Sequence, residues 1–367
     1  MGSVDQRQSR KPTLALLLLS PAIGELLSGS SPPEEFFNPL TFLLLVALYG
    51  AGALLAREAW VRWGDGPTSL LLLGAAYGVL EEGVVTRSFF CPTWPDLDVL
   101  AEHGRWLGVN WVWTVELTIF HSVFSVAIPV ALVEFFYPQA RGRPWLGRRG
   151  VALSLASLAG VTLLGLIGFK CEVPVPTTLP ALALLSAVLL AGLAKRIAGP
   201  YTPGPVEPPR AVRIYLLGAS WAALTILGPY ALAHAGAPAA LTFAIELALA
   251  WLFVRWVLRR RWDSGLRAFD AASSPLWGMI VVAFLQGFSV PSMTLVGLGF
   301  ALLLTLMRRR VRRLWEGPGA GTRPGSPDHL VEGEDLRCLR LSAVREGRPW
   351  RGSNRQGEHC DLSSPSS

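Results

Sequence analysis

The chain of 367 residues is 51% apolar and 16% charged, with a formal net charge of +7 and a pI near 9.6. Soluble domains carry about a quarter charged residues and expose some on every element, so this composition excludes an ordinary soluble protein. The basic residues flank long uncharged stretches, where they orient helices and meet anionic lipid headgroups. Their placement predicts the lipid bilayer as the partner and excludes nucleic acid. The sequence identifies no protein partner.

Apolar stretches recur along the chain, and about 20 residues of helix are needed to cross a hydrocarbon core. The first stretch contains Pro21 and Glu25, which predict a broken or re-entrant helix. It also resembles a signal peptide, because Arg10 and Lys11 precede Leu14, but its poor cleavage site favours retention. The predicted fold class is all-α, a polytopic transmembrane helical bundle of about ten spans, near residues 13–28, 39–58, 68–87, 110–135, 151–169, 179–194, 213–233, 238–257, 275–290 and 292–307.

Basic residues are distributed unequally between the two sides of these spans. One side receives dense groups, such as those within 141–149 and 308–313. The other side receives only Arg87, Arg105 and Lys170. Because positive charge stays in the cytoplasm, we predict a plasma-membrane protein with both termini cytoplasmic. The loops predicted to lie outside are 88–109 and 170–178.

A connection rich in Pro and Gly, 197–212, divides the predicted spans into two groups. The first bundle, 1–196, holds about six spans, and the second, 213–313, holds about four. The remaining segment, 314–367, is polar and rich in Gly, Ser, Arg and Pro. Such a segment cannot bury enough apolar surface to offset its ordering entropy, so we predict a disordered cytoplasmic tail.

The four cysteines show no spacing that fits a zinc site. Cys91 and Cys171 fall in loops predicted to lie outside, where disulfides form, whereas Cys338 and Cys360 fall in the predicted cytoplasmic tail. We therefore expect Cys91 and Cys171 to form a disulfide that joins the third and fifth spans. Two free thiols are the alternative, because the sequence does not give the distance between them.

Ionisable side chains inside an apolar span are unfavourable in hydrocarbon, and they therefore mark candidate functional sites. Glu134 lies at a helix end, where we expect its carboxylate to reach water, and His234 lies beside a turn. Glu246 lies mid-span and is expected to form an interhelical hydrogen bond, with Gln286 as its candidate partner. The other five fall in the outer half or near the middle of spans that are close in sequence: Glu25, Glu81, Glu82, Glu116 and His121.

Helical angles of 100° per residue refine this cluster. On the fourth span, His121 shares a stripe with Thr114, Thr118 and Ser125, while Glu116 points nearly opposite. A stripe of hydroxyls around a histidine that faces a carboxylate can bind a metal, relay protons or activate water. A hydrogen-bonded seam that only holds helices together is the structural alternative.

On the third span, Tyr77 and Glu81 share a face with Gly74 and Gly78. This small-xxx-small pair lets another helix approach closely, so we expect Glu81 or Glu82 to approach His121 across the third and fourth spans. The predicted catalytic residues are Glu81, Glu82 and His121, and the predicted binding residues are Glu25, Glu116, Tyr77, Thr118 and Ser125.

The segment Glu81-Glu82-Gly-Val-Val-Thr-Arg87, followed one helix later by Leu117-x-x-x-His121, resembles the first two motifs of the CAAX-protease and bacteriocin-processing family. The members of that family are intramembrane peptidases. The resemblance implies that the two glutamates and His121 activate a water molecule, together with a divalent metal such as zinc. The chain departs from the family pattern at Arg87, which follows one residue later, and at Leu117, which stands in place of phenylalanine. The third motif, a histidine followed by asparagine, is not found.

Three functions fit these observations. The spans, the two bundles and the intramembrane acids fit a secondary transporter of a small solute or ion. An intramembrane metallopeptidase is the alternative that the resemblance implies, and only this hypothesis calls for a cofactor. A non-catalytic protein of membrane assembly or lipid handling is the third. The residues do not decide between an enzyme and a transporter.

Overall fold

The computed structural model describes residues 6–262 and 265–316. Almost all regular secondary structure in this part is helical, so the predicted all-α class is confirmed. The predicted tail from 317 onwards, with Cys338 and Cys360, lies outside the described residues, and 314–316 belong to the last helix. The helices are α1 (Gln6–Pro21, continued by a π-helical turn at Ala22–Leu27), α2 (Pro33–Phe36), α3 (Pro39–Trp63), α4 (Pro67–Val85), α5 (Trp111–Phe136), α6 (Arg148–Gly168), α7 (Thr178–Ile197), α8 (Ala211–His234), α9 (Ala239–Leu258), α10 (Gly265–Gln286) and α11 (Ser292–Glu316).

Nine helices of the described part, α3 to α11, are long and apolar enough to cross a membrane. The sequence predicted about ten spans, and the difference is α1. Arg10, Lys11 and Glu25 lower the mean hydropathy of this first helix. It is nevertheless part of the bundle, because Leu16 and Ile23 are fully buried.

The helices form an inner and an outer set. In α4, α5 and α10, 72% of the most apolar stretch is buried within the protein, against 17% in α6 and α7 and 11% in α9. The outer helices expose large apolar side chains, among them Leu153, Leu189 and Leu252. A helix that is apolar all round and exposed in this way is typical of a span that faces lipid.

The two predicted bundles share one apolar core. Phe124 of α5 stacks on Trp221 of α8, with the ring centroids 5.9 Å apart. Ile23 and Phe269 belong to the same core and are fully buried. The predicted boundary at 197–212 therefore separates two groups of helices that pack against each other.

The predicted span at 275–290 begins much earlier in the structure, because α10 starts at Gly265. Asp270 is completely buried in this helix. Its carboxylate accepts hydrogen bonds from Arg308 at 2.7 Å and from the hydroxyl of Tyr215 at 2.8 Å. A paired and hydrogen-bonded charge can be buried, and the apolar pattern alone does not reveal the pairing.

The end of the bundle that carries the loops 86–110 and 169–177 is termed the disulfide end. It includes a hairpin of β1 (Arg105–Trp106) and β2 (Val109–Asn110). Cys91 and Cys171 are joined by a disulfide, with their Cα atoms 5.6 Å apart, so the pair expected from the sequence is present. Arg87 also donates to the carbonyl oxygen of Phe169. These contacts fix the end of α6 to the loop that follows α4.

Replacing both cysteines, as Cys91→Ser with Cys171→Ser, should lower the thermal stability of the protein. The bond spans a sequence separation of 80 residues. Removing a disulfide that closes a long loop typically costs about 2–4 kcal/mol. Thermal unfolding in detergent measures the shift, and chemical reduction of the wild type should reproduce it. Unchanged midpoints in both experiments would contradict this prediction.

The opposite end of the bundle, where α3 and α5 finish, is termed the arginine end. Arg57 is completely buried there and donates to Glu134 at 2.8 and 2.6 Å and to Glu58 at 2.9 Å. Its guanidinium lies 3.6 Å from the ring centroid of Trp145. The expectation that Glu134 reaches water is therefore wrong. Glu134 is 2% exposed, because a buried arginine provides its counter-charge.

Candidate functional site

Four π-helical turns of the described residues meet inside the bundle. They lie at Ala22–Leu27, Val46–Gly50, Glu81–Val85 and His121–Ala127, in or directly after α1, α3, α4 and α5. A π turn is rare and is frequently found at a functional site, because it changes the direction of the side chains beyond it. Each of these turns carries a polar side chain of the same cluster: Glu25, Tyr49, the pair Glu81 and Glu82, and His121 with Ser125.

His121 is the centre of this cluster. Its Nε2 lies 2.9 Å from Oε1 of Glu82, and its Nδ1 lies 3.0 Å from the hydroxyl of Ser125. The same Nδ1 is 3.3 Å from Oε2 of Glu81. All three ionisable residues are at least nine-tenths buried. The predicted approach of the two glutamates to His121 across α4 and α5 is therefore present in the structure.

A second layer of hydroxyl groups holds the carboxylates. Ser88 donates to Oε2 of Glu82, and Thr86 lies 3.0 Å from the same oxygen. Glu25 accepts hydrogen bonds from the hydroxyls of Tyr49 and Ser31, the latter at 2.6 Å. These hydroxyl groups orient the carboxylates of Glu82 and Glu25.

The glycines of α4 allow the close approach of α5, as the sequence predicted. A Cβ atom at Gly78 would lie 2.7 Å from Cβ of His121, and one at Gly74 would lie 2.7 Å from the carbonyl oxygen of Ser122. Gly52 of α3 makes room in the same way for the ring of Tyr77. The rings of Tyr77 and His121 have their centroids 6.1 Å apart.

Gly78→Ala should displace His121 and lower the affinity for a metal that His121 binds by about 10–100-fold. This is the effect expected when a contact that supports a metal-binding residue is lost. Gly160→Ala on α6 is the matched control, because a Cβ there meets nothing within 4 Å. Both changes replace a helical glycine by alanine and carry the same small gain in helix propensity. Isothermal titration of purified protein with zinc measures the difference. Equal affinities for the two variants would contradict the prediction.

Two predicted binding residues lie elsewhere than the helical angles indicated. Glu116 was expected to point nearly opposite to His121, yet both line the same cavity, because the cavity follows a broad face of α5. Thr118 is half-buried and is not among the cavity-lining residues of the described part. On an α-helix it is rotated by about 60° from His121. The predicted residues that the structure does bring together are Glu25, Tyr77, Glu81, Glu82, His121 and Ser125.

Glu246 has no hydrogen bond to Gln286 in the described part of the chain, so the expected partner is wrong. The amide of Gln286 instead donates to the carbonyl oxygen of Ser28, at 2.8 Å. Both carboxylate oxygens of Glu246 are buried without a hydrogen-bond partner among the described residues. His234 is exposed, with its ring 4.0 Å from the carboxylate of Asp98.

Sequence reasoning did not identify Tyr49, Ser31 or Ser88 as parts of the cluster. Tyr49 stands alone as a polar residue in the apolar stretch of α3, between Leu48 and Gly50. That isolation was the available signal. The two serines follow the ends of helical segments, where serine is common, so no signal in the sequence set them apart.

A cavity of about 900 Å³ leads from the disulfide end to the cluster. Apolar side chains such as Leu44, Leu164 and Leu285 form much of its wall. No lysine or arginine is among the described residues that line it. Desolvation at the mouth, followed by the nearby charges of Glu82 and Glu35, raises the pKa of the Asp96 carboxyl. The acidic residues that line the cavity are Glu25, Glu35, Glu81, Glu82, Asp96 and Glu116.

The triad of Glu81, Glu82 and His121 fits a divalent metal. One donor atom from each residue lies within 4.8 Å of the other two. Oε2 of Glu81 is buried, and its nearest partner among the described residues is Nδ1 of His121 at 3.3 Å, without the geometry of a hydrogen bond. Such an oxygen is unfavourable unless a cation or a proton meets it. Three protein ligands with one open position are the arrangement of catalytic zinc.

The fold and the cluster define a class: a multi-pass helical membrane protein with a buried site of glutamates and histidine. A family model described as an uncharacterized membrane protein family matches residues 14–314, and the chain belongs to that family. No curated protein and no solved structure matches the chain significantly. The family match and the nine apolar helices of the described part confirm the predicted helical membrane bundle.

Proposed function

We propose that the chain is an intramembrane metal-dependent hydrolase of the peptidase type. One observation carries the proposal: Glu81, Glu82 and His121 offer three donor atoms within 4.8 Å of one another at the inner end of a large cavity. The π turns support it, because four helices depart from regular geometry where these side chains meet. A hydrogen-bonded seam that only held helices together would need neither the three clustered donor atoms nor the π turns.

In this proposal Glu81, Glu82 and His121 hold the metal. These residues would place such a metal where it would supply Lewis-acid activation of a water molecule and of a substrate carbonyl group. Ser125 fixes the ring of His121 through Nδ1, and Ser88 fixes the carboxylate of Glu82. Such contacts outside the ligands set the orientation and basicity of the ligands themselves.

Glu25 has the role of general base in this proposal. Its carboxylate lines the same cavity and is held by Ser31 and Tyr49. A base must be held within reach of the proton that it removes, and these two hydroxyls provide that support. The apolar walls suit a substrate that is itself embedded in the membrane.

The resemblance to the CAAX-protease and bacteriocin-processing family supports the same assignment through Glu81, Glu82 and His121. Arg87, one residue later than in that family, takes no part, because it binds the carbonyl oxygen of Phe169. The resemblance is therefore limited to the three proposed metal ligands.

Metal content tests the proposal most directly. The protein purified without chelator should contain about one divalent metal ion per chain, as three ligands from a single chain imply. It should cleave membrane-embedded peptides, and a chelator should stop cleavage. Two results together would contradict the hydrolase and favour a transporter: no stoichiometric metal in the purified protein, and solute uptake driven by a sodium or proton gradient.

A transporter is the second candidate, and one observation favours it. A second cavity of about 540 Å³ lies at the arginine end, lined by Val123, Ala131 and Glu134 of α5. The first cavity is lined by the other half of α5, as far as His121. Two cavities at opposite ends, separated near a buried ionisable cluster, suit alternating access.

We propose further that the disulfide end faces the outside of the plasma membrane and that both termini are cytoplasmic. In a background with the four native cysteines replaced by serine, Glu102→Cys should react with an impermeant maleimide in intact cells. Arg143→Cys should react only after permeabilisation, because its loop carries the basic residues that stay inside. Labelling in the reverse order would contradict this orientation.

A further inference from the structure

The wall of the first cavity next to α8 contains a carboxylate that the proposed hydrolase does not use. Glu116 of α5 lines the cavity and is 5% exposed. Its Oε2 makes no hydrogen bond to any described residue. Isolation of this kind is unfavourable for a carboxylate, and its charged form needs a positive partner.

Glu246 provides a second buried carboxyl on a neighbouring helix. It lies on α9, which packs against α5, and it is within electrostatic range of Glu116. Glu246 is 2% exposed, and neither of its oxygens has a hydrogen-bond partner among the described residues. The described residues that line the cavity supply no lysine or arginine that could neutralise the pair.

Aromatic rings complete this wall. Trp113, Phe120 and Tyr230 line the cavity beside Glu116. The hydroxyl of Tyr230 donates to the carbonyl oxygen of Asp96, and the indole of Trp113 donates to Ser88. Their polar atoms are thus occupied, and their apolar surfaces remain. Aromatic rings around a carboxylate are the environment that binds organic cations, because the ring face attracts positive charge.

We propose that the cavity wall formed by Glu116, Trp113 and Tyr230 is a binding subsite for an organic cation with an apolar body. The cation pairs with Glu116, Glu246 strengthens the field from behind, and the leucine-lined wall accepts the apolar part. An inorganic cation alone would leave the aromatic wall without a role. The subsite does not depend on the triad of Glu81, Glu82 and His121 or on any hydrolysis.

Two ions of the same shape and opposite charge provide the test. Binding of tetraphenylphosphonium and of tetraphenylborate to the full chain in lipid nanodiscs is measured by equilibrium dialysis, with empty nanodiscs as the reference for partition into lipid. The cation should bind saturably and the anion should not. Similar binding of both ions, or no saturable binding of the cation, would overturn the proposal. The absence of saturable cation binding is also the result expected if Glu116 and Glu246 merely share a proton.

Variants locate the subsite. Glu116→Gln should weaken binding of the cation at least tenfold, while Glu116→Asp, which keeps the charge, should retain most of it. Glu246→Gln should weaken binding by a smaller factor, because Glu246 is not among the described residues that line the cavity. Glu102→Gln, an exposed acid of the disulfide end, is the control and should change nothing. Unchanged affinity in folded Glu116→Gln would overturn the assignment. If that variant does not fold, unchanged affinity in Glu246→Gln would do the same.

Discussion

Glu82→Gln and His121→Ala are each expected to abolish metal binding and hydrolysis by the purified protein. Both residues supply a donor atom to the triad, and Nε2 of His121 lies 2.9 Å from Oε1 of Glu82. Loss of a contact that only supports a ligand already lowers affinity about 10–100-fold, so loss of a ligand itself should exceed about 100-fold. Elemental analysis and zinc titration measure binding without reference to turnover.

His103→Ala is the matched control for His121→Ala. His103 lies at the disulfide end, where its Nε2 is 2.9 Å from the hydroxyl of Thr242. It contributes nothing to the triad, so its variant should keep the metal content of the wild type. Thermal unfolding shows whether each variant is folded. A folded His121→Ala protein with wild-type metal content would remove the basis of the proposed function.

Arg57→Met is expected to cause the largest loss of stability of any single change at the arginine end. It would leave Glu134 and Glu58 without their shared counter-charge, although both are 2% exposed. Removing one partner of a buried ion pair costs about 3–5 kcal/mol, because the remaining charge stays desolvated. The midpoint of thermal unfolding in detergent should fall accordingly.

Arg62→Met is the control for this change. Arg62 also pairs with Glu58, at 2.9 Å, but its side chain is 43% exposed. Arg57 would remain as the counter-charge of Glu58, so the midpoint should fall less than it does with Arg57→Met. The double variant Arg57→Met with Glu134→Gln should recover part of the loss, because it removes one of the unpaired charges. Equal effects of Arg57→Met and Arg62→Met would show that burial of Arg57 contributes nothing.

The sequence identified the centre of the site because membranes make ionisable residues conspicuous. Glu81, Glu82 and His121 stand out in apolar stretches, and the unfavourable burial of such groups is itself the signal. Gly74 and Gly78 predicted the close helix pair by the same kind of reasoning, since small residues permit contact between backbones. These inferences depend only on residue type and on regular helical spacing.

The parts that sequence reasoning missed include side chains whose partners are distant in the sequence. Asp270 fell outside the predicted span because its partner Arg308 is remote in sequence. The prediction for Glu134 is wrong for the same reason, since Arg57 lies on another helix.

The four π turns have a consequence for how this site can vary among related chains. A π turn closes its hydrogen bond over one more residue than an α turn does, so deleting a single residue restores the α-helix. Such a deletion in Glu81–Val85 or His121–Ala127 would remove the widened turn from which the glutamates or the histidine project, while the helix on either side would keep its direction. Homologous helices without the site should therefore differ from these by single-residue gaps at the π turns, and such gaps would distinguish chains that can assemble the cluster from chains that share only the bundle.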